Sequence, residues 1–171
     1  MKIRLIGLGK MGENIALNLI DNNHTVYGYD NNLETRERLN NSKIKIKNSY
    51  EELLVRENDE KLIVWMLVPN NYVTDVLERL KGLLKPGDII IDGGNSNFKD
   101  TIKRTKEIEA QGFRYLGVGI SGGEEGARFG PAIMPGGSKD AYAFVSDILE
   151  SISAKYKGEA CCTYIGSDGA G

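Results

Sequence analysis

The sequence predicts an α/β protein whose mostly parallel sheet is doubly wound, with helices on both faces. Three observations carry this prediction. Strand and helix patterns alternate through residue 120, and residues 61–68 form a near-continuous apolar run. Such a run is typical of a parallel strand that is covered on both faces. The third observation is a glycine-rich turn between the first strand and the first helix.

Length and composition indicate one soluble, globular domain. The chain has 171 residues, of which 40% are hydrophobic and 27% charged. Its net charge is −2 and its basic residues are not clustered, so we expect no nucleic-acid partner. No apolar run approaches the roughly 20 residues of a membrane span, and we expect no membrane partner. The first residues enter a strand without a signal-peptide pattern, which predicts a cytoplasmic location.

A Gly-x-Gly-x-x-Gly pattern lies between the first apolar strand, residues 3–6, and a helical pattern from residue 13. Strand, glycine turn and helix form the context that a dinucleotide fingerprint requires, so a Rossmann-like domain is predicted. Gly7 permits the tight turn, Gly9 leaves room for a pyrophosphate, and Gly12 lets the helix pack closely on the strand. The free N–H groups of the helix then face the phosphates. The alternative is a glycine-rich turn in another α/β protein.

The second predicted strand, residues 25–29, ends at Asp30. A carboxylate here accepts hydrogen bonds from the adenosine ribose and repels a ribose 2′-phosphate. Asn31 and Asn32 follow, without an adjacent arginine to hold that phosphate, and Arg36 and Arg38 are assigned to the solvated face of the next helix. We therefore predict NAD as the cofactor, with NADP less favoured. The alternative role of Asp30 is a cap of that helix.

The remaining elements follow from periodicity and capping signals. Helices are predicted at 49–56 with a capping box, 73–84, 100–110 and 139–152, and strands at 43–47, 88–92, 113–120, 132–134 and 161–165. The glycine-rich segment 121–137 interrupts the alternation and indicates close backbone approach or positive φ. His24 is assigned to a solvated turn, and Cys161 and Cys162 to the last strand, unbridged. No metal site is predicted.

Ligands of an open parallel sheet bind outside the carboxyl ends of its strands. Five segments follow predicted strand ends and should line one crevice: residues 7–12, 30, 68–70, 93–95 and 121–123. The amide of Asn95 both donates and accepts, which suits a polar group beside a nicotinamide. The hydroxyl of Ser121 and the N–H groups of Gly122 and Gly123 suit a substrate carboxylate or hydroxyl. A turn residue and a bare loop are the alternatives.

Four segments, residues 7–14, 91–95, 121–128 and 130–137, together resemble 6-phosphogluconate dehydrogenase, in order along the whole chain. The Glu-Glu-Gly-Ala and Met-Pro-Gly-Gly elements distinguish this family from related β-hydroxyacid dehydrogenases. The resemblance implies oxidative decarboxylation of 6-phosphogluconate to ribulose 5-phosphate and CO2, with hydride transfer from C3 to the nicotinamide. The full-length enzyme is expected to be a homo-oligomer.

The resemblance also assigns the site residues. It assigns cofactor binding to Gly7, Leu8, Gly9, Lys10, Met11, Gly12, Asp30, Asn31, Asn32, Leu67, Val68, Pro69 and Asn95. It assigns substrate binding to Asn95, Ser121, Gly122 and Gly123. Many members carry Asn-Arg-Ser or Asn-Arg-Thr at positions 30–32 and use NADP, so this chain is assigned to the NAD-preferring branch.

The family's catalytic Lys, the general base, and Glu, the general acid, are expected beyond Gly171, together with its helical domain. Residues 1–171 are therefore assigned to the NAD-binding domain, and the isolated chain is expected to be inactive. Two alternatives stay open. One is another β-hydroxyacid dehydrogenase acting on a small 3-hydroxy acid, and the other is a stand-alone NAD-binding module without catalysis.

Overall fold

A seven-stranded sheet with helices on both faces forms the centre of the computed structural model, which describes residues 1–168 and 171. The strands are β1 (Lys2–Ile6), β2 (Thr25–Tyr29), β3 (Lys45–Ile46), β4 (Ile63–Met66), β5 (Ile89–Asp92), β6 (Arg114–Ser121), β7 (Ala132–Gly137), β8 (Lys155–Tyr156) and β9 (Glu159–Ala160). The helices are α1 (Lys10–Asp21), α2 (Leu33–Leu39), α3 (Tyr50–Leu53), α4 (Asn70–Lys81), α5 (Phe98–Glu109), α6 (Gly123–Phe129) and α7 (Lys139–Ile152).

The strand order is β3-β2-β1-β4-β5-β6-β7, and only β7 runs antiparallel to its neighbour among the described strands of this sheet. Side chains of β4 alternate between two cores, with Ile63 and Trp65 in one and Val64 and Met66 in the other. The first core also holds α1, α6 and α7, and the second holds α4 and α5. This double coverage explains the apolar run and confirms the predicted fold class.

Helices α3 and α4 both differ from their predicted bounds. Helix α4 begins at Asn70, directly after Pro69, and ends before Gly82, so it starts and stops three residues earlier than predicted. Helix α3 is a single turn from Tyr50 to Leu53. The Ser49 hydroxyl caps it by accepting from the Glu52 N–H at 3.1 Å, but the Glu52 carboxylate accepts from the N–H of Asn48 rather than Ser49. The reciprocal hydrogen bond of the capping box therefore comes from the N–H of the residue before the N-cap.

The glycine-rich segment 121–137 contains a helix that was not predicted, and the strand predicted at 132–134 extends to Gly137 as β7. Gly122 and Gly123 have positive φ, as the glycine density indicated, but α6 follows them directly. Helix α6 packs on α1, where the Asn18 side chain donates to the carbonyls of Ala127 at 3.1 Å and Ile152 at 3.0 Å. These contacts join distant parts of the chain, and they stabilise a helix whose own sequence is rich in glycine.

The prediction of a final strand at 161–165 is wrong. Residues 155–160 form the separate β8–β9 hairpin. Residues 161–165 follow β7 without a continuous ladder, through an isolated bridge between Cys162 and Ile133 and a hydrogen bond from the Ile165 N–H to the Pro135 carbonyl oxygen. Both cysteines are free, and burial raises the pKa of the Cys162 thiol to about 11. The predicted edge strand at 43–47 is present but shorter, as β3.

His24 is half-buried rather than solvated. Its Nε2 lies 3.0 Å from the Ser151 hydroxyl, on a helix that is distant in sequence. Burial, aided by the N-terminal ammonium, lowers the pKa of His24. The turn assignment therefore missed a tertiary contact with α7.

A buried ion pair joins the loops at the amino ends of β4 and β5. The Asp88 carboxylate accepts from the Arg56 guanidinium at 2.6 and 3.0 Å and from the N–H groups of Leu62 and Lys85 at 2.9 and 2.8 Å. Asp88 is 2% exposed. Every partner is charged or a backbone N–H, so the carboxylate is fully satisfied away from water.

We expect Asp88→Ala to lower the free energy of unfolding by about 3–5 kcal/mol, because it leaves the Arg56 charge and two N–H groups without their acceptor. Equilibrium urea unfolding measures the loss. The matched control is Glu107→Ala, which removes the exposed partner of Lys103 in α5 and should cost at most about 1 kcal/mol. Equal losses in the two variants would contradict the structural role of Asp88.

Candidate functional site

A cavity of about 960 Å³ lies at the carboxyl ends of β1, β4, β5 and β6. Nine of the residues predicted to bind cofactor or substrate line it: Gly9, Lys10, Met11, Gly12, Leu67, Val68, Pro69, Asn95 and Gly123. The structure also adds lining residues that were not predicted to bind: Asp92, Gly93, Gly94, Ser96, Thr101, Gly117, Val118, Gly119, Ile120, Glu124, Met134 and Gly171. Parallel strand direction explains the assembly, because consecutive loops emerge at the same edge.

Six residues of the predicted crevice do not line the cavity: Gly7, Leu8, Asp30, Asn70, Ser121 and Gly122. Gly7 and Leu8 are buried beneath it. Asp30, Asn31 and Asn32 lie outside its lining, because β2 is on the far side of β1 from β4, β5 and β6. Ser121 and Gly122 are exposed and also lie outside the lining, since the chain turns at once into α6.

The three glycines of the fingerprint have different surroundings. Gly7 has a φ of +91°, and a Cβ there would lie 2.4 Å from the Leu67 carbonyl oxygen. A Cβ on Gly12 would lie 1.9 Å from the Gly7 carbonyl oxygen, so the helix packs directly on the turn. A Cβ on Gly9 would meet nothing within 4 Å. Of the three glycines, only the middle one therefore has open space at the position of a Cβ.

The start of α1 is free to receive an anion. Its N-cap is Gly9, and no side chain of the described residues caps the first turn. The first N–H groups of a helix lack intrahelical acceptors and carry the positive end of its dipole. Open space at Gly9 and unsatisfied N–H groups together fit a phosphate of a dinucleotide.

Asp30 ties the end of β2 to the fingerprint turn. One carboxylate oxygen accepts from the Leu8 N–H at 2.7 Å, and the other accepts from the Asn32 N–H at 2.9 Å. Asn32, rather than Asp30, is the N-cap of α2 and accepts from the Thr35 N–H. The alternative role of Asp30 as the helix cap is therefore wrong. A carboxylate has about four lone-pair positions, so two remain for ribose hydroxyls.

Arg36 is not on the solvated face to which it was assigned. Its guanidinium donates to the Asp30 carbonyl oxygen at 2.6 Å and lies 5.5 Å from the centre of the Tyr29 ring. Arg38 does lie on the exposed face, where it forms a 2.7 Å ion pair with Glu13. The prediction failed for Arg36 because side-chain stacking on the preceding strand leaves no local signal.

Asp92 forms a buried polar group in the wall of the cavity. Its carboxylate accepts from the Tyr115 hydroxyl at 2.5 Å and from the Gly94 N–H at 2.9 Å. Burial raises the pKa of Asp92 and also that of Tyr115, whose ionisation the neighbouring carboxylate further opposes. The sequence pattern predicted Asp92 only as the last residue of a strand. The available signal was a carboxylate that directly follows three isoleucines.

Lys10 and Glu124 form a second unpredicted pair, with 3.0 Å between the Lys10 ammonium and the Glu124 carboxylate. Both residues line the cavity and are largely exposed, so their attraction contributes at most about 1 kcal/mol. The pair is weak enough to separate when a ligand enters.

The described residues hold no group of three or more histidine, cysteine or acidic side chains placed to bind a metal ion. Within residues 1–168 and 171, no helix combines the length and apolar character that crossing a bilayer requires.

Comparison with known proteins gives consistent matches. A family model described as the NAD binding domain of 6-phosphogluconate dehydrogenase matches residues 2–166. A decarboxylating 6-phosphogluconate dehydrogenase of Chlamydia pneumoniae is 44% identical over 99% of this chain, and the Homo sapiens enzyme is 40% identical over 99%. The chain spans 36% of the length of each of these relatives.

Solved structures match over almost the whole chain. The Plasmodium falciparum 6-phosphogluconate dehydrogenase, described with its cofactor NADP+ and its substrate 6-phosphogluconate, has a TM-score of 0.93 and 34% identity. The match covers 99% of this chain and 38% of that one. A Mycobacterium tuberculosis 3-hydroxyisobutyrate dehydrogenase has a TM-score of 0.84 at 23% identity, covering 99% of this chain and 56% of that one, and shows the shared fold.

We expect Gly9→Val to abolish NAD binding while changing the free energy of unfolding by less than about 0.5 kcal/mol, because the added side chain enters empty space. Calorimetric titration and urea unfolding measure the two quantities. Gly12→Ala is the matched comparison and should cost about 1–3 kcal/mol or more, since its Cβ overlaps the Gly7 carbonyl oxygen. A Gly9→Val chain with unchanged NAD affinity would show that phosphates bind elsewhere.

Proposed function

The chain belongs to the family of the NAD-binding domain of 6-phosphogluconate dehydrogenase, and from this premise we propose that it is the cofactor-binding part of such an enzyme. The proposed reaction is oxidative decarboxylation of 6-phosphogluconate to ribulose 5-phosphate and CO2. When bound, the nicotinamide accepts a hydride from C3 of the substrate. The single observation that carries the proposal is the cavity that joins the open fingerprint turn to the loops after β4 and β5.

The proposed cofactor residues divide between the two ends of a dinucleotide. The N–H groups at the start of α1 bind the pyrophosphate, and Asp30, with Asn31 and Asn32, receives the adenosine ribose. Leu67, Val68 and Pro69 line the wall after β4, and Asn95 follows β5. The strand order β2-β1-β4-β5 supports a dinucleotide with its adenosine at the end of β2 and its nicotinamide at the ends of β4 and β5, because a dinucleotide extends to both sides of the first strand.

We assign substrate binding to Asn95, Ser121, Gly122 and Gly123. Asn95 is exposed in the cavity, and Gly123 lines it beside the end of β6. Ser121 and Gly122 precede Gly123 at the same strand end and are exposed. Their hydroxyl and N–H groups are hydrogen-bond donors for the oxygen-rich substrate.

Proton transfer is assigned to residues outside this chain. Among the described residues of the cavity, Lys10 and Glu124 are ionisable and exposed, but they pair with each other beside the fingerprint turn. Asp92 is buried and already accepts two hydrogen bonds. We therefore propose that the general base Lys and general acid Glu belong to the part of the enzyme that this chain does not span. We also propose that the full-length enzyme is a homo-oligomer and is located in the cytoplasm.

We propose NAD as the preferred cofactor. Asp30 places a negative charge at the ribose end, where it repels a 2′-phosphate, and Asn31 and Asn32 carry no charge. Arg36, the nearest arginine along the chain, donates to the Asp30 carbonyl and stacks on Tyr29. One guanidinium nitrogen of Arg36 is therefore already occupied by a backbone carbonyl oxygen.

We expect the chain to bind NAD more tightly than NADP in calorimetric titrations. Asp30→Asn with Asn31→Arg should shift the preference towards NADP by about tenfold or more, because it removes a repulsive charge and adds a bidentate phosphate partner. Asp30→Asn with Asn31→Gln is the control, since it removes the charge without adding a guanidinium. Equal or tighter NADP binding by the unaltered chain would overturn the NAD preference.

The reaction is tested on the whole open reading frame that contains the chain. We expect NADH formation from 6-phosphogluconate by that product and none by residues 1–171 alone, since a missing general base typically costs about 10²–10⁴-fold. The absorbance of NADH measures the turnover of the full-length product and of residues 1–171. Turnover of 3-hydroxyisobutyrate without turnover of 6-phosphogluconate would instead support a β-hydroxyacid dehydrogenase. NAD binding without turnover of either acid would support a binding module.

A further inference from the structure

We propose that Arg104 is a positioning residue that holds the two loops of the nicotinamide end of the cavity in place. Arg104 lies on α5 and is itself outside the cavity lining. It acts through the side chains that it binds. This inference rests on the proposed function, because it assigns a role within the same cofactor site.

Arg104 links two loops that follow neighbouring strands. One end of its guanidinium donates to the Ser96 hydroxyl at 3.1 Å, in the loop after β5 that carries Asn95. The other end donates to the Asn70 side-chain oxygen at 3.0 Å, at the start of α4 and directly after Pro69. The planar guanidinium presents its donors in a fixed fork, whereas the lysine ammonium is a compact charge without that fork, so lysine is not an equivalent residue.

The same guanidinium lies beside the buried Asp92. The distance from its nitrogen to the Asp92 carboxylate is 3.9 Å, and the two side chains are 13% and 2% exposed. Asp92 also accepts from the Gly94 N–H, within the same loop. An unpaired carboxylate at such a depth is costly, and the Arg104 charge offsets part of that cost. The loop that carries Asn95 is thus held at Gly94 by Asp92 and at Ser96 by Arg104.

These contacts lie at one end of the site only. Asp30 and the fingerprint turn follow β2 and β1, whereas the loops held by Arg104 follow β4 and β5. A bound dinucleotide that places its ribose at Asp30 extends its nicotinamide towards the Arg104-held loops. Loss of Arg104 should therefore weaken binding of the nicotinamide half and leave the adenosine diphosphate half unaffected.

The test compares NAD with ADP, which lacks the nicotinamide half, by calorimetric titration of the 171-residue chain. We expect Arg104→Met to weaken NAD binding by about tenfold or more, because the loops must then be ordered on binding, and to change ADP binding by less than about twofold. Arg104→Lys should restore little of the loss. The control is Lys103→Met, which alters an exposed neighbour on α5 and should leave both affinities unchanged.

The pattern of losses distinguishes the possible results. Equal weakening of NAD and ADP would indicate general destabilisation and would overturn the positioning role, as would an unchanged NAD affinity. If Arg104→Met does not fold, Ser96→Ala combined with Asn70→Ala removes the same contacts and should give the same selective loss. If the unaltered chain binds NAD and Arg104→Met causes no selective loss, this inference alone is overturned, whereas failure of the unaltered chain to bind NAD overturns the proposed function itself.

Discussion

The close packing of Gly12 on the carbonyl oxygen of Gly7 is the constraint on which the rest of the structure depends. It presses the start of α1 against the end of β1, so the helix dipole and its free N–H groups face the cavity. It also fixes the path of α1 across the sheet. From that path Asn18 reaches the carbonyls of Ala127 and Ile152, and α6 and α7 are packed against the same helix.

Two buried carboxylates, Asp88 and Asp92, lie at opposite ends of the strands and have different roles. At the amino ends of the strands, Asp88 forms a close ion pair with Arg56 and accepts from two backbone N–H groups. These contacts join loops that lie away from the cavity. At the carboxyl ends of the strands, Asp92 accepts hydrogen bonds from Tyr115 and Gly94. The guanidinium of Arg104 lies 3.9 Å from Asp92 and bonds to two loops. The first arrangement stabilises the fold. The second leaves the arginine free to connect the loops that surround the proposed cofactor.

Charge at the surface of the cavity is arranged for a ligand that is anionic at its centre. Lys10 and the N–H groups of α1 lie where the pyrophosphate is proposed to bind. Asp30, outside the cavity lining at the end of β2, lies where the ribose hydroxyls are proposed to bind. Glu124 neutralises Lys10 across the cavity through a pair that solvent weakens. Because exposed pairs contribute little, a phosphate can compete for Lys10 at small cost.

The sequence by itself determined the fold class, the order of the first six parallel strands and their helices, and the structural roles of Gly7 and Gly12 in the fingerprint turn. These are local properties: apolar periodicity, strand-end position and the lack of a Cβ are all visible in short windows. Helix α7 was predicted with its observed bounds for the same reason. Only the tertiary structure decided the helix at 123–129, the irregular path of residues 161–165 and the positions of Arg36, Arg104 and His24. Their partners lie in other elements, and contacts that close long loops leave no periodic or local trace in the sequence.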